Sequence, residues 1–201
     1  MMKLRLLVLA GLLVLGGDVS AQDTNLWIFV CFGQSNMEGF PGQSYQSYAS
    51  NAAPWMKNII KTYGENPYQY LIEMAKLAQN DGVIKGVLLH QGESNNNDKA
   101  WPNKVKTIYE NLLKDLCLKA DETPLLAGEL VNADQNGACA SMNQIIGELP
   151  KVIPTAHVIS SQGCEARRDR LHFALAGYRE FGKRYGETML SLLGYKTPEE
   201  E

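Results

Sequence analysis

The sequence predicts an α/β protein in which a parallel β-sheet is covered by helices on both faces, a three-layer α/β/α sandwich. Two observations predict it. Short, continuously apolar stretches of strand length alternate along the chain with longer stretches that have helical character. In a half-exposed sheet apolar and polar residues alternate strictly along each strand. These stretches do not alternate in that way, and such continuous apolar runs are typical of strands buried on both faces.

The elements follow this alternation in order. Four apolar stretches are predicted strands: 25–32, 83–90, 124–131 and 156–162. Four stretches between and after them are predicted helices: 66–82, 101–119, 138–149 and 174–194. Gly82 ends the first helix and Pro102 stands in the first turn of the second, where proline is tolerated. The last helix begins at Ala174, where a Ser, Thr or Asp cap is expected, so that local stabilisation is absent.

The first 21 residues have the pattern of a secretory signal. The segment begins with basic residues and continues with an apolar core. It ends with small residues up to Ala21, as at a cleavage site. The alternative is a short membrane anchor, but the apolar core is shorter than the roughly 20 residues that span a bilayer. We therefore expect a signal peptide over 1–21, one domain over 22–195, a polar tail over 196–201, and a secreted or periplasmic location.

Charge and residue spacing exclude several classes of function. The formal net charge of −3 argues against nucleic-acid binding, which needs a basic face, and is compatible with a neutral sugar as substrate. No spacing of His, Cys, Asp and Glu resembles a metal site, and there is no phosphate-binding loop. We therefore expect no metal.

Four cysteines allow three disulfide pairings in an exported protein. Cys139 and Cys164 both fall in predicted loops or element ends, which favours that pair. Cys31 lies inside a predicted strand and is interpreted as a small buried hydrophobic residue.

Three polar clusters carry the candidate chemistry. Ser35 follows the first strand, the segment 90–98 follows the second, and 167–173 precedes the last helix. Ligands of parallel sheets bind beyond the carboxyl ends of the strands. A serine nucleophile needs a base held by a third group, and Asp169 and His172 are three residues apart, so a turn can bring them together. Taken singly, Ser35 and Asp169 could be helix caps and His172 a structural histidine.

Together the clusters are more specific. Gly-Gln-Ser-Asn-Met at 33–37, His-Gln-Gly-Glu-Ser at 90–94 and Asp-Arg-Leu-His-Phe at 169–173 resemble the SGNH/GDSL hydrolase superfamily. The similarity extends over about 26–194 and is greatest to the branch of sialate O-acetylesterases and acetylxylan esterases. The resemblance implies a flavodoxin-like sheet and hydrolysis of O-acetyl esters on sugars, without a cofactor.

The resemblance assigns roles to residues. Ser35 is the nucleophile that forms an acetyl-serine intermediate, His172 the general base, and Asp169 the acid that orients it. The substrate is an acetylated oligo- or polysaccharide, of the xylan or the sialate type. An anionic sialate would favour a nearby arginine, and the site block contains three: Arg167, Arg168 and Arg170.

The remaining site positions follow from the same resemblance. Gln91 stands where the superfamily places a polar side chain in the oxyanion hole, beside the backbone N–H of Ser35. Glu93 is expected to support the site loop or to be a second partner of His172. Gln34 and Asn36, which flank the serine, are candidates for oxyanion or substrate binding.

One segment departs from the family. His90 follows Ser35 by only 55 positions, where relatives carry a further strand and an oxyanion glycine. Gly39 and Gly42 are the glycines that follow the serine, and neither comes after a strand, so the oxyanion glycine is unassigned. The resemblance therefore implies a sheet that lacks one edge strand.

Loss of that strand would expose the edge of 25–32. An apolar edge favours pairing with another copy of the chain. Alternatively, apolar side chains of the intervening segment could cover it: Tyr45, Tyr48, Trp55 and Met56. A second functional class also stays open, a catalytically weak or inactive glycan-binding remnant of the same fold, as does an aggregation-prone product of a deletion.

Overall fold

The computed structural model describes residues 22–38 and 66–196, and its centre is a four-stranded sheet. All three strand pairings are parallel, and the spatial order follows the chain order. The strands are β1 (Asp23–Gly33), β2 (Gly82–His90), β3 (Leu125–Gly128) and β4 (Ala156–Ile159). The predicted α/β class with a parallel sheet is confirmed.

Helices cover both faces of this sheet. They are α1 (Ser35–Glu38), α2 (Pro67–Ala78), α3 (Trp101–Asp115), α4 (Met142–Ile146), α5 (Leu149–Val152) and α6 (Leu175–Leu192). Leu125 belongs to a core cluster with residues of α2 to α5, whereas its neighbour Leu126 packs with Phe181 and Met189 of α6. Successive side chains of a strand point to opposite faces, so the two clusters are the two interfaces of a three-layer sandwich.

Local signals explain the helix starts. The Asn66 side chain accepts a hydrogen bond from the backbone N–H of Gln69 at 3.2 Å and caps α2, while Pro67 fills its first position. Pro102 occupies the first turn of α3, as predicted. Ala174 precedes α6 with extended backbone and provides no side-chain cap, which agrees with the expectation from sequence.

The predicted helix 138–149 is wrong in its bounds. The chain forms two short helices there, α4 and α5, the second with Pro150 in its first turn. The side chain of Asn143 bonds the backbone of Leu130 twice, donating to its carbonyl at 3.0 Å and accepting from its N–H at 2.8 Å. These bonds fix α4 to the end of β3, and the Pro150 ring cannot continue a preceding helix.

The predicted disulfide between Cys139 and Cys164 is not formed, and all four cysteines are free. Cys164 is fully buried in the cluster beneath α6, whereas Cys139 packs against the cluster on the opposite face of the sheet. The two cysteines therefore belong to different interfaces of the sandwich. Cys31 is exposed on β1 rather than buried, which corrects the interpretation from sequence.

β1 is the edge of the sheet in the described part of the chain, where β2 is its only strand neighbour. The apolar residues considered as a cover for this edge, at positions 45–56, lie outside the described residues. So do Gly39 and Gly42, which were considered for the oxyanion hole, the predicted signal 1–21 and the tail from 197 onward. In the described ranges no helix is both long and apolar enough to cross a bilayer.

Candidate active site

Two loops meet at the carboxyl ends of β1 and β2. Gly33 pairs with His90 across the two strands, and the backbone N–H of Gln34 donates to the His90 carbonyl at 3.0 Å. A Cβ atom at position 33 would lie only 2.1 Å from that carbonyl oxygen, so glycine is required for this approach. The close contact places α1, which begins at Ser35, directly beside the loop that contains Glu93.

A third loop brings His172 to the serine. The hydroxyl Oγ of Ser35 lies 2.7 Å from Nε2 of His172, and Nδ1 of His172 lies 3.0 Å from Oδ2 of Asp169. A carboxylate only accepts hydrogen bonds, so Nδ1 carries the proton and Nε2 of the neutral ring accepts from the serine hydroxyl. The structure thus brings together the three residues that the sequence proposed as a catalytic set.

Asp169 is held by the backbone as well as by the imidazole. Its Oδ1 accepts hydrogen bonds from the N–H groups of Leu171 and His172, each at 2.9 Å. Burial, the largest single influence, raises the pKa of the carboxyl, but the hydrogen bonds from these two N–H groups and from the imidazole together hold the pKa below its ordinary value. Asp169 is therefore an ionised, fixed acceptor for His172 at neutral pH.

The loop that holds His172 is closed on itself. The N–H of Arg167 donates to the carbonyl of His172 at 2.8 Å, and Ala166 bridges Phe173. Within the turn, Arg170 has a φ of 59°, a left-handed conformation that is uncommon for residues other than glycine. The carbonyl of Arg170 accepts a hydrogen bond from the N–H of Ala138 at 3.0 Å, which anchors the strained residue.

Gln91 is not placed as a free oxyanion donor. Its amide nitrogen donates to Oε1 of Gln34 at 2.9 Å and to Oδ1 of Asn95 at 2.7 Å, and its oxygen accepts from the indole of Trp101. Both amide hydrogens are taken up within the protein, and the oxyanion role of Gln91 stays a prediction. Gln34 also donates to Oγ of Ser94 at 2.8 Å, so the two glutamines fasten the serine loop to the second loop.

Asn36 is buried and faces the protein interior. Its amide nitrogen donates to Oε1 of Glu93 at 2.9 Å and to the carbonyl of Leu171 at 3.0 Å, and its oxygen accepts from the hydroxyl of Tyr178 at 2.7 Å. These contacts occupy both amide hydrogens of Asn36 within the protein. Of the two roles considered for Glu93, they favour the support of the site loop.

The backbone N–H of Ser35 is the candidate oxyanion donor that the described residues offer. As the first residue of α1 it has no partner within the helix, and it bonds no acceptor in the described part of the chain. Across the described ranges 22–38 and 66–196, no group of three or more His, Cys, Asp and Glu side chains could hold a metal ion.

An apolar cavity of about 490 Å³ lies beside the site, between α6 and the sheet. Its lining includes Met37 of the serine helix α1, and several of the other lining residues are aromatic, among them Trp27, Phe29 and Phe181. A sugar needs convergent polar groups, whereas the hydroxyls of Tyr178 and Tyr185 in this lining already donate within the protein, to Asn36 and to the Leu89 carbonyl. The Ser35–His172 pair, rather than this cavity, is therefore the candidate site for carbohydrate chemistry.

A solved structure has a similar fold. The X-ray structure of a protein from Arabidopsis thaliana is similar with a TM-score of 0.54 and 20% sequence identity, over 66% of this chain and 56% of that chain. At this identity the likeness concerns the fold alone, and the aligned part is just over half of the plant protein's length.

A family model gives the stronger result. The model described as carbohydrate esterase, sialic acid-specific acetylesterase, matches residues 49–191. This range includes Gln91, Asp169 and His172, while Ser35 precedes it. The match extends over more than half of the sequence, and the chain belongs to the carbohydrate esterase family of sialic acid-specific acetylesterases.

Proposed function

We propose that this protein is a serine esterase that removes O-acetyl groups from carbohydrate through an acetyl-serine intermediate. The observation that carries the proposal is the continuous chain of hydrogen bonds from Asp169 through His172 to Ser35, at 3.0 and 2.7 Å. Nucleophile, base and orienting acid within such reach are the signature of an activated serine.

In the proposed mechanism, Oγ of Ser35 attacks the acetyl carbonyl carbon while Nε2 of His172 takes the hydroxyl proton. Asp169 stabilises the imidazolium. The tetrahedral intermediate then expels the sugar alkoxide, which takes the proton from His172, and leaves acetyl-Ser35. A water molecule that gives its proton to His172 attacks this ester, acetate leaves, and Ser35 recovers its proton.

The oxyanion hole sets the expected rate. The backbone N–H of Ser35 supplies one donor, and Gln91 is engaged elsewhere. Loss of one oxyanion donor typically lowers turnover by about 10²–10³. Modest turnover is therefore expected, and the same observation favours the second candidate, a glycan-binding protein of weak or no activity.

The proposed substrate is an acetylated sugar of the sialate or the xylan type. The family description supports a sialate. So do Arg167, Arg168 and Arg170, which are exposed beside Asp169 and would attract the carboxylate of an acidic sugar. The signal-like pattern of 1–21 supports action outside the cytoplasm, in a secreted or periplasmic form.

The test compares hydrolysis of p-nitrophenyl acetate, acetylated sialic acid and acetylated xylan by the wild type and by Ser35→Ala. Ser191→Ala, on the exposed face of α6, is the matched control. We expect Ser35→Ala to lower kcat by about 10³-fold or more, because the nucleophile is lost, and the control to retain the wild-type rate.

Equal rates for the wild type and Ser35→Ala, from folded monomers, would contradict the esterase proposal. Titration calorimetry with the same sugars would then decide on the second candidate. Saturable binding that survives Ser35→Ala would establish a glycan-binding protein, and absence of binding would exclude it.

A further inference from the structure

We propose that Tyr178 is a positioning residue for the Ser35–His172 pair, acting through the side chain of Asn36. The inference rests on the proposed esterase function, but its structural consequence can be measured separately. Tyr178 lies on α6, outside the sequence motifs that carry the resemblance.

Asn36 joins the immediate neighbours of the two reacting side chains. It follows Ser35 in the chain, and its amide nitrogen donates to the carbonyl of Leu171, which precedes His172. The bond of 3.0 Å therefore runs alongside the 2.7 Å contact between Ser35 and His172. A rotation of the Asn36 amide would remove this second link between the serine helix and the His172 loop.

The orientation of that amide depends on groups at both of its ends. The nitrogen has two acceptors, the Leu171 carbonyl and Oε1 of Glu93, while the oxygen accepts from the hydroxyl of Tyr178 at 2.7 Å. Asn36 is only 7% exposed, so bulk water cannot easily replace a lost donor. Removal of the tyrosine hydroxyl would leave the amide oxygen buried without its donor, which is costly.

Tyr178 connects this amide to a rigid element. It lies in the first turns of the 18-residue helix α6, and its ring packs edge-on against Phe173 with centroids 5.8 Å apart. The Phe173 ring is buried in the core beneath α6 and follows His172 directly in the chain. Tyr178 thus fixes the serine helix and the histidine loop to the same support.

Tyr178 keeps its proton over the working range of an esterase. Burial raises the pKa of its hydroxyl to about 12, with further raising by the charges of Glu93 and Asp169 and an opposing effect of Arg167. The Tyr178 hydroxyl is therefore a permanent donor, and its contribution does not vary with pH near neutrality. This property suits a positioning group and not an acid or base.

The experiment compares Tyr178→Phe with Tyr185→Phe. Tyr185 lies two turns further along α6, and its hydroxyl donates to the carbonyl of Leu89 at 2.7 Å, without contact to Asn36. Each variant loses one hydroxyl and the hydrogen bond that this hydroxyl donates. We expect Tyr178→Phe to lower kcat for p-nitrophenyl acetate about tenfold with KM nearly unchanged, through misalignment of the pair, and Tyr185→Phe to keep the wild-type kcat.

A second readout does not require turnover. The Nδ1 proton of His172 reports the Ser35–His172–Asp169 geometry by proton NMR, and Ser35→Ala identifies the signal. We expect this resonance to shift or broaden in Tyr178→Phe and to stay in place in Tyr185→Phe. Absence of serine-dependent turnover in the wild type would refute the esterase function alone. An unchanged resonance in Tyr178→Phe, or equal changes in both variants, would overturn the positioning role.

Discussion

Asp169 uses its two carboxylate oxygens for different purposes. Oδ2 accepts from the imidazole of His172, and Oδ1 accepts from two backbone N–H groups of the same loop. The residue that orients the base therefore also shapes the turn that presents it. The ionised carboxylate accepts all three hydrogen bonds, so its ionisation affects both the geometry of the candidate site and the stability of the loop.

This linkage predicts a pH dependence of stability. The folded-state pKa of Asp169 is lowered from the unfolded value of about 3.9, so its stabilisation is present above about pH 4 and is lost as the pH falls through the folded-state value. Asp169→Asn should lower the free energy of unfolding by about 1 kcal/mol at pH 7 and should flatten its decline in acid. Urea unfolding at pH 7, 5, 4 and 3 measures both effects.

Asp121→Asn is the control for this experiment, since Asp121 is an exposed carboxylate remote in sequence from the site loops. It should leave the acid dependence of the wild type in place. If the curves of Asp169→Asn and the wild type ran parallel from pH 7 to pH 3, the carboxylate would not be the source of the dependence.

Residue identity alone predicted part of the site. Ser35, Asp169 and His172 were proposed from motifs, and the structure places them within hydrogen-bond distance, although their catalytic roles stay predictions. The contacts of the Gln91 amide with Asn95 and Trp101 were not predicted, because no local pattern reveals which side chains will meet it. Tyr178 was missed because a tyrosine at helical spacing among apolar residues is indistinguishable from a core residue.

At the scale of elements, the strand and helix order was predictable because continuous apolar strands and helical stretches differ in period and length. The exact first and last residues of the elements were less predictable. The predicted strand 124–131 ends at Gly128, after which the Glu129 carboxylate accepts from the backbone N–H of Ser161 at 3.0 Å. The apolar pattern carries no signal for a side-chain contact of this kind.

The start of α6 offers a stabilising change. Ala174 has the extended backbone of a cap residue, with φ −71° and ψ 169°, but no side-chain acceptor for the first N–H groups of the helix. Ala174→Ser should raise the free energy of unfolding by about 1 kcal/mol, because the serine oxygen accepts from one of them. Thermal unfolding should show a rise in Tm of about 2–4 °C for a chain of this size.

Ala176→Ser is the matched control for the cap. Ala176 is exposed in the first turn of the same helix, where serine satisfies no cap and has a lower helix propensity than alanine. This variant should be neutral or slightly destabilised. A gain of equal size in both variants would show that hydroxyl chemistry at the helix start, and not capping, is responsible.

At the scale of the whole molecule, the unpaired edge of β1 matters most for association between copies of the chain. β2 lies on one side of it, and no strand of the described chain lies on the other. The pairing of β1 with β2 has two register shifts, one between Asp23 and Trp27 of β1 and one between Ile28 and Phe29. These irregularities make the first half of β1 a poorer template for the addition of another strand. From Phe29 to Gly33 the pairing is regular, and Cys31 is exposed within it.

We therefore propose that copies of the chain associate through this edge, and predict that charge there prevents it. Cys31→Lys should reduce concentration-dependent association in sedimentation velocity, because a lysine on an edge strand opposes strand addition. Cys117→Lys, at an exposed position after α3, is the control and should behave as the wild type. A reductant excludes disulfide-linked dimers. A wild type that stays monomeric at every concentration, or equal effects of both substitutions, would exclude association through β1 and would leave the edge without a role in assembly.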